Sequence, residues 1–327
     1  MIKFFRQSYA IQYVVIALLA IALWIPAFVS GKLTMGLSSP LTPIFNLVDN
    51  LLDFSPVAQR IFAFLLLMFE TLAFNMILVK NQIVGKVSTM GAFVFVLLMS
   101  LTLTQTSFYP FALSVIFIIL AISALYEVYQ LPNPEMNLLK TGVCIALASM
   151  CYFPAVVLVL WVLIALPIAK KGVLRLQLIP LFGLLFVYFV YFVAVYLFGD
   201  FLSLMHDYRD YFTSIRFSVG VFNIKIVFLL ALLLVATVFL LFGRSNANFE
   251  KTIAVRTKIS MTIILLVFSI VLLFLGGSVL MNGLVFIAMA VLISYAFSYM
   301  GNTGWANLFL VLFLALVFAN QYYFKFL

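Results

Sequence analysis

Residues 138–170, LLKTGVCIALASMCYFPAVVLVLWVLIALPIAK, decide how the rest of the chain is threaded. As one helix these 33 residues would measure about 50 Å, whereas about 20 apolar residues already span the ~30 Å hydrocarbon core of a bilayer. At their centre stands Tyr152-Phe153-Pro154. A proline ends the helix before it and suits the first turn of the next, so the segment reads as a short broken hairpin.

Apolar runs continue on both sides of this segment, at about 8–30, 57–79, 87–104, 111–129, 176–199, 224–243, 259–276, 279–300 and 305–322. Charge separates the two possible threadings. With a hairpin at 138–170, one face holds Lys3, Arg6, Lys80, Lys86, Lys140, Lys170, Lys171, Arg175, Arg244, Lys251, Arg256 and Lys258, against six basic residues on the other. With a single crossing, everything downstream inverts and the division is nine against nine. The positive-inside rule selects the hairpin. The expected fold is all-α, a polytopic transmembrane bundle of about 11 membrane-embedded helices in a bacterial inner membrane. Its N-terminus is cytoplasmic and its C-terminus periplasmic, and the half-length helices of the hairpin are either two crossings or re-entrant.

Composition agrees. With 67% hydrophobic and 8% charged residues and a mean hydropathy of +1.30, the chain lacks the polar surface a water-facing domain needs. The net charge of +9 belongs to short loops that orient the spans and meet anionic head groups, which argues against nucleic acid and makes the bilayer the first partner. Cys144 and Cys151 lie about 10 Å apart along one run, too far for a disulfide. The first span is too long for a signal-peptide core and is expected to be retained. No repeat or linker marks a second domain, so 1–327 is read as one membrane domain, with outer loops at 31–56 and 200–223 and a basic inner loop at 244–258.

Polar chemistry is sparse and sits mostly on the outer side of this threading. In the loop 31–56, Ile44, Leu47, Val48, Leu51 and Leu52 recur at helical spacing, predicting an amphipathic helix lying on the outer leaflet. Asp49 and Asp53 are one turn apart on it and share a face, where two carboxylates either hold a divalent cation, act as a general base, or form a solvated polar face. The loop 200–223 carries His206, the only histidine, with Asp207, Arg209 and Arg216. These groups suit a metal, a proton relay or a bound phosphate, or they pair with one another. No metal-ligand spacing appears, so a metal remains undefined. Glu70 falls near the middle of the second span, where an ionised carboxylate costs several kcal/mol unless protonated, paired or facing a polar cavity. Tyr109, Tyr126, Tyr129, Trp305, Tyr322 and Tyr323 near span ends read as interfacial belts. No Walker loop, dinucleotide fingerprint, H-E-x-x-H or G-x-S-x-G is present, which disfavours nucleotide-driven transport and serine hydrolysis.

The stretch Phe111 to Tyr191, with Lys140-Thr-Gly-Val-Cys-Ile-Ala-Leu-Ala-Ser-Met-Cys-Tyr-Phe-Pro-Ala, Trp161, Lys170-Lys171 and Gly183, resembles the uncharacterised multi-pass inner-membrane proteins of Bacteroidota. Their layout is in turn similar to that of GT-C glycosyltransferases. The resemblance implies surface-lying helices in the first outer loop and an outward active site using a polyprenyl-phosphate-linked sugar donor in cell-envelope glycan assembly. It would make Asp49 or Asp53 the base, and it would put His206, Asp207, Arg209 and Arg216 near the donor phosphate or a divalent cation. GT-C enzymes place an acid soon after the first span, and Val29-Ser-Gly-Lys-Leu-Thr-Met-Gly carries none. Two other functions follow from the residues themselves. The thin polar inventory fits a non-catalytic membrane subunit packed against other membrane proteins of a cell-envelope complex. Glu70 and the break at Pro154 fit a transporter or lipid flippase.

Overall fold

A computed structural model describes residues 2–7, 10–30, 41–52, 55–85, 87–101, 108–169, 171–214, 253–274, 282–299 and 303–324. Every regular element among them is helical. In chain order they are α1 (Ile2–Phe5), α2 (Ala10–Ser30), α3 (Pro43–Leu52), α4 (Pro56–Lys80), α5 (Met90–Met99), α6 (Pro110–Val128) and α7 (Glu135–Cys151). A 3-10 turn (Phe153–Val157) follows, then α8 (Leu158–Ile168), α9 (Leu174–Phe198), α10 (Phe201–Ser214), α11 (Ile253–Phe274), α12 (Asn282–Tyr299) and α13 (Thr303–Ala319), which ends in a π turn (Asn320–Phe324). Six of these helices, α2, α4, α6, α9, α11 and α13, are long and apolar enough to cross a membrane. The helices fall into two compact units, one of residues 1–34, 56–108 and 219–327, the other of 35–55 and 109–218.

The first unit is built around two helices that expose almost nothing. All ten residues of α5 are buried, as is α12 from Leu284 to Phe297. The helices α2 and α4 present continuous apolar stripes outward, Ile11, Val14, Leu18, Ile21 and Ile25 on one and Val57, Ile61, Leu65, Phe69, Leu72 and Met76 on the other. Meanwhile Gln12, Glu70, Asn75, Thr89 and Lys258 are buried. Apolar side chains outside and polar ones inside is the arrangement a hydrocarbon solvent selects, since lipid gives apolar stripes a partner and buried polar groups must bond to protein.

Those buried groups tie the helix ends together. The backbone N–H of Thr89 donates to Phe5 O at 3.0 Å, the Arg6 guanidinium donates to Phe297 O at 3.2 and 2.8 Å, and the Lys258 ammonium donates to Asn81 O at 3.3 Å and to Asn81 Oδ1 at 3.0 Å. The chain's N-terminal helix, the turn after α4, the start of α11 and the close of α12 therefore share one end of the unit, with Arg6, Lys80, Arg256 and Lys258 upon it. At the opposite end Arg60 Nη1 donates to Phe28 O at 3.3 Å. Helical hydrogen bonding thus gathers at one end four cations that charge counting assigned to one face, while Arg60 stands at the other.

The second unit centres on α7, flanked by α6 and α9. Gly142 and Gly183 make the approach of α7 to α9 possible: a Cβ on Gly142 would stand 2.1 Å from Pro180 O, and one on Gly183 2.7 Å from Leu139 O. Ser149 Oγ and Tyr188 Oη are joined at 2.8 Å across the same pair of helices. The segment 138–170 does break at Tyr152, whose extended backbone separates α7 from the 3-10 turn that Pro154 opens. After α8 the chain is back where α7 began, because Lys171 Nζ donates to Leu131 O at 3.2 Å and Arg175 bridges Glu135 at 2.9 Å. A single uninterrupted helix would have delivered Lys171 to the far end.

Several expectations change. The span read at 87–104 appears as a ten-residue helix, α5, enclosed by its neighbours on every side. The loop read at 200–223 contains the helix α10, because Phe201, Leu204, Tyr208 and Tyr211 supply a helical apolar repeat that its charges mask. Tyr126 and Tyr109 are buried in the second unit, so they are core residues rather than parts of an interfacial belt. Cys144 and Cys151 are both free, as their spacing requires. The span read at 224–243, most of the loop 244–258, and residues 31–40 lie outside the described residues.

Candidate functional site

The second unit carries most of the polar residues singled out in the sequence. Helix α3 is anchored by Phe45 and Leu41, both buried, and packs against α7. Leu47 and Leu51 remain exposed on it, as expected of a helix resting between protein and lipid. Asp49 is half-buried beside that exposed face. Asp53 lies outside the described residues, so the proposed carboxylate pair is represented by Asp49.

Helix α10 caps the α7–α9 assembly at the break after α7, through aromatic rings. Phe153, the first residue after the break, lies edge-on to Tyr208 at 5.4 Å, Tyr211 at 5.0 Å and Phe212 at 6.0 Å between centroids. Phe192 of α9 meets Tyr208 at 5.9 Å and Phe201 at 6.3 Å. Such edge-to-face pairs add about 0.5–1.5 kcal/mol each beyond the area they bury. Burial pushes the phenol of Tyr208 well up, with further contributions from Tyr188 and Tyr191, and burial alone raises that of Tyr211. Both phenols therefore stay neutral in any ordinary buffer.

The inward set at positions 201, 204, 208 and 211 fixes the outward set. His206, Arg209 and Asp210 are exposed, and their spacing of three and four places them on one face, with Asp207 at its half-buried edge. No ion pair joins these four among the described residues, so His206 and Arg209 keep their donors available to a ligand. Asp200 sits at the helix start, where its Oδ1 accepts a long bond of 3.5 Å from the Ser203 N–H. Arg216 lies outside the described residues. No three of the described His, Cys, Asp and Glu residues converge as a metal-binding group.

Glu70 belongs to the first unit. It is buried at 3% exposure, and its Oε1 has no hydrogen-bond partner among the described residues. The polar groups nearest in sequence are otherwise engaged, the adjacent Thr71 hydroxyl donating to Leu67 O at 2.7 Å. Asn75 donates to Tyr13 Oη and to Ser88 O, each at 3.1 Å, and accepts from the Ala92 N–H at 3.2 Å, while Arg60 holds Phe28 O. Sequence reading passed over Asn320 and Gln321, also buried and each with an amide oxygen lacking a partner. The signal was an adjacent pair of amides closing an otherwise apolar run.

No protein-family model, curated protein or solved structure matches this chain.

Proposed function

We propose that this chain is a multi-pass protein of a bacterial inner membrane, N-terminus cytoplasmic and C-terminus periplasmic, that transfers a sugar from a polyprenyl-phosphate donor at the outer end of its second unit, in the manner of GT-C glycosyltransferases. The observation carrying this reading is that the two amphipathic helices bearing the outer polar residues, α3 with Asp49 and α10 with His206 and Arg209, belong to one compact unit built around the returning segment α7–α8. Further support comes from the exposed apolar residues of α3 and α9, against which a polyprenyl chain can lie without leaving hydrocarbon.

In this reaction the acceptor hydroxyl oxygen attacks the anomeric carbon and the bond from that carbon to the phosphate oxygen breaks. The phosphate leaves with the electron pair, and Asp49 takes the hydroxyl proton. Arg209 and His206 bind the phosphate as its charge grows, and a guanidinium suits that role because its fork matches two phosphate oxygens. A divalent ion at the phosphate would supply similar electrostatic stabilisation.

The test is purified protein in vesicles containing a polyprenyl-phosphate-linked sugar and a labelled acceptor. Asp49→Asn should abolish transfer, and Arg209→Gln should lower it about 100-fold, both with unchanged yield of folded protein. Full turnover by Asp49→Asn would remove the base assignment. Absence of turnover in a chain that co-purifies stoichiometrically with other membrane proteins would replace the enzyme by the non-catalytic subunit, and proton-coupled uptake lost in Glu70→Gln would replace it by the transporter.

A further inference from the structure

The first unit contains a short, fully buried helix that ends within the unit. Helix α5 begins at the end shared by Phe5 and Thr89 and ends after ten residues, about 15 Å later, at Ser100. Its last carbonyls therefore open in the middle of the unit rather than at a water interface. Two contacts fix that depth: the Trp24 indole N–H donates to Ser100 Oγ at 3.3 Å, and Tyr322 Oη donates to Ala22 O, in the middle third of α2, at 2.6 Å. A helix C-terminus carries about half a negative elementary charge, and in lipid it must be answered by the protein or by an ion.

The protein answers only part of it. Asn320 Nδ2 donates to Leu101 O at 2.6 Å, and Gln321 Nε2 donates to Ser100 O. Because the amide nitrogen is the donor in each bond, both amide orientations are fixed, and Asn320 Oδ1 and Gln321 Oε1 are left on side chains anchored at that helix end. Asn320 is 4% exposed and Gln321 1%, and neither oxygen has a partner among the described residues. They stand on a π turn, a distortion of the α-helix found frequently at functional sites.

The register of α4 against α5 brings a carboxyl group to the same depth. Asn75 Oδ1 accepts from the Ala92 N–H, and Phe74 stacks on Phe95 with centroids 4.6 Å apart. Counting antiparallel from these pairs sets Glu70 level with the last turn of α5, about one turn from Ser100. Glu70 lies on the stripe Leu67, Glu70, Thr71, Phe74, Asn75 and Leu78 that is buried within the unit. Three buried oxygens without partners, two amide and one carboxyl, thus belong to side chains that the hydrogen bonds and the helix register place within about one turn of the end of α5, and no cationic side chain bonds to any of them among the described residues.

We propose that the C-terminal end of α5 is an alkali-cation site, in which Asn320 Oδ1, Gln321 Oε1 and the carboxylate of Glu70 hold the ion. One full negative charge, a helix end and neutral amide oxygens balance a monovalent ion. A divalent ion would be left with net positive charge in hydrocarbon, which is costly, and hard divalent ions usually recruit more carboxylates. Discontinuous helices whose C-terminal ends and carbonyls bind Na⁺ are a recurrent solution in membrane proteins. The site stands on the first unit alone and is independent of the transfer reaction assigned to the second.

The experiment uses the full chain in detergent micelles at pH 8, with NaCl, KCl or choline chloride at equal ionic strength. Melting is followed by tryptophan fluorescence, since Trp24 touches Ser100. The expected result is a melting temperature about 5 °C higher in saturating NaCl or KCl than in choline chloride, with the increment lost in Glu70→Gln and reduced in Gln321→Leu. Equal melting temperatures in all three salts for the unmodified chain would overturn the site even if neither variant folds. An increment that survives intact in Glu70→Gln would overturn it too.

Discussion

The two units solve the same problem, holding helices together in a solvent that offers no hydrophobic drive, by different means. In the first unit polar side chains act as the joints: Arg6, Asn75, Lys258, Asn320 and Gln321 each bond to backbone or side-chain groups at the end of a neighbouring helix. In the second, α7 meets α9 through glycines, and α10 is fastened by interleaved rings around Phe153. Its charged pair Arg175–Glu135 stands in the open, with side chains 79% and 52% exposed. Polar joints therefore dominate the first unit, while the second adds only a few, such as Ser149–Tyr188, to its glycine and aromatic contacts. The unsatisfied ones in the first unit stand out because their neighbours are so fully used.

Substitutions that exchange these roles should break the contrast in order of size. Gly142→Leu has the largest expected effect, because backbone, not a flexible side chain, stands 2.1 Å from the new Cβ; about 3 kcal/mol or more of stability should be lost, seen as a collapse in yield and melting temperature. Gly85→Ala, with nothing within 4 Å, is the matched control. Asn75→Leu should follow, since it removes a donor to Tyr13 and Ser88 and the acceptor for Ala92. Its cost should be about 2 kcal/mol in a melting curve, and a neutral outcome would mean that polar joints do not hold the first unit. Arg175→Ala should come last, with a change below about 0.5 kcal/mol, because an exposed pair is screened by water. A larger loss would show that the second unit also depends on its charges.

Much of the helical framework was legible in the chain. Runs such as 57–79 and 176–199 reappear as α4 and α9 within a few residues, since length and apolarity are local properties that a bilayer reads directly. The break at Tyr152-Phe153-Pro154 was legible as well, because proline acts through its own ring. The helix α10 was not. Its charges at 206, 207, 209 and 210 suggested a loop, and the aromatic repeat beneath them acquires a meaning only when Phe153 and Phe192 arrive to cover it. Of the candidate residues, Asp49, His206 and Arg209 could be named from the sequence. Their membership of one unit, and the separation of Glu70 from it, could not.

By itself the sequence determined that this chain lives among lipids, roughly where its helices run, and that residues 138–170 turn back on themselves. Each follows from the cost of placing backbone or charge in hydrocarbon, which depends on composition along the chain. Tertiary structure alone decided that α5 is enclosed rather than lipid-facing, that Lys258 spends its ammonium on Asn81, and that Asn320 and Gln321 meet the end of a helix more than two hundred residues earlier. Those are pairings between distant segments. They depend on which helix ends share a depth, and no local pattern of apolar and polar residues records it.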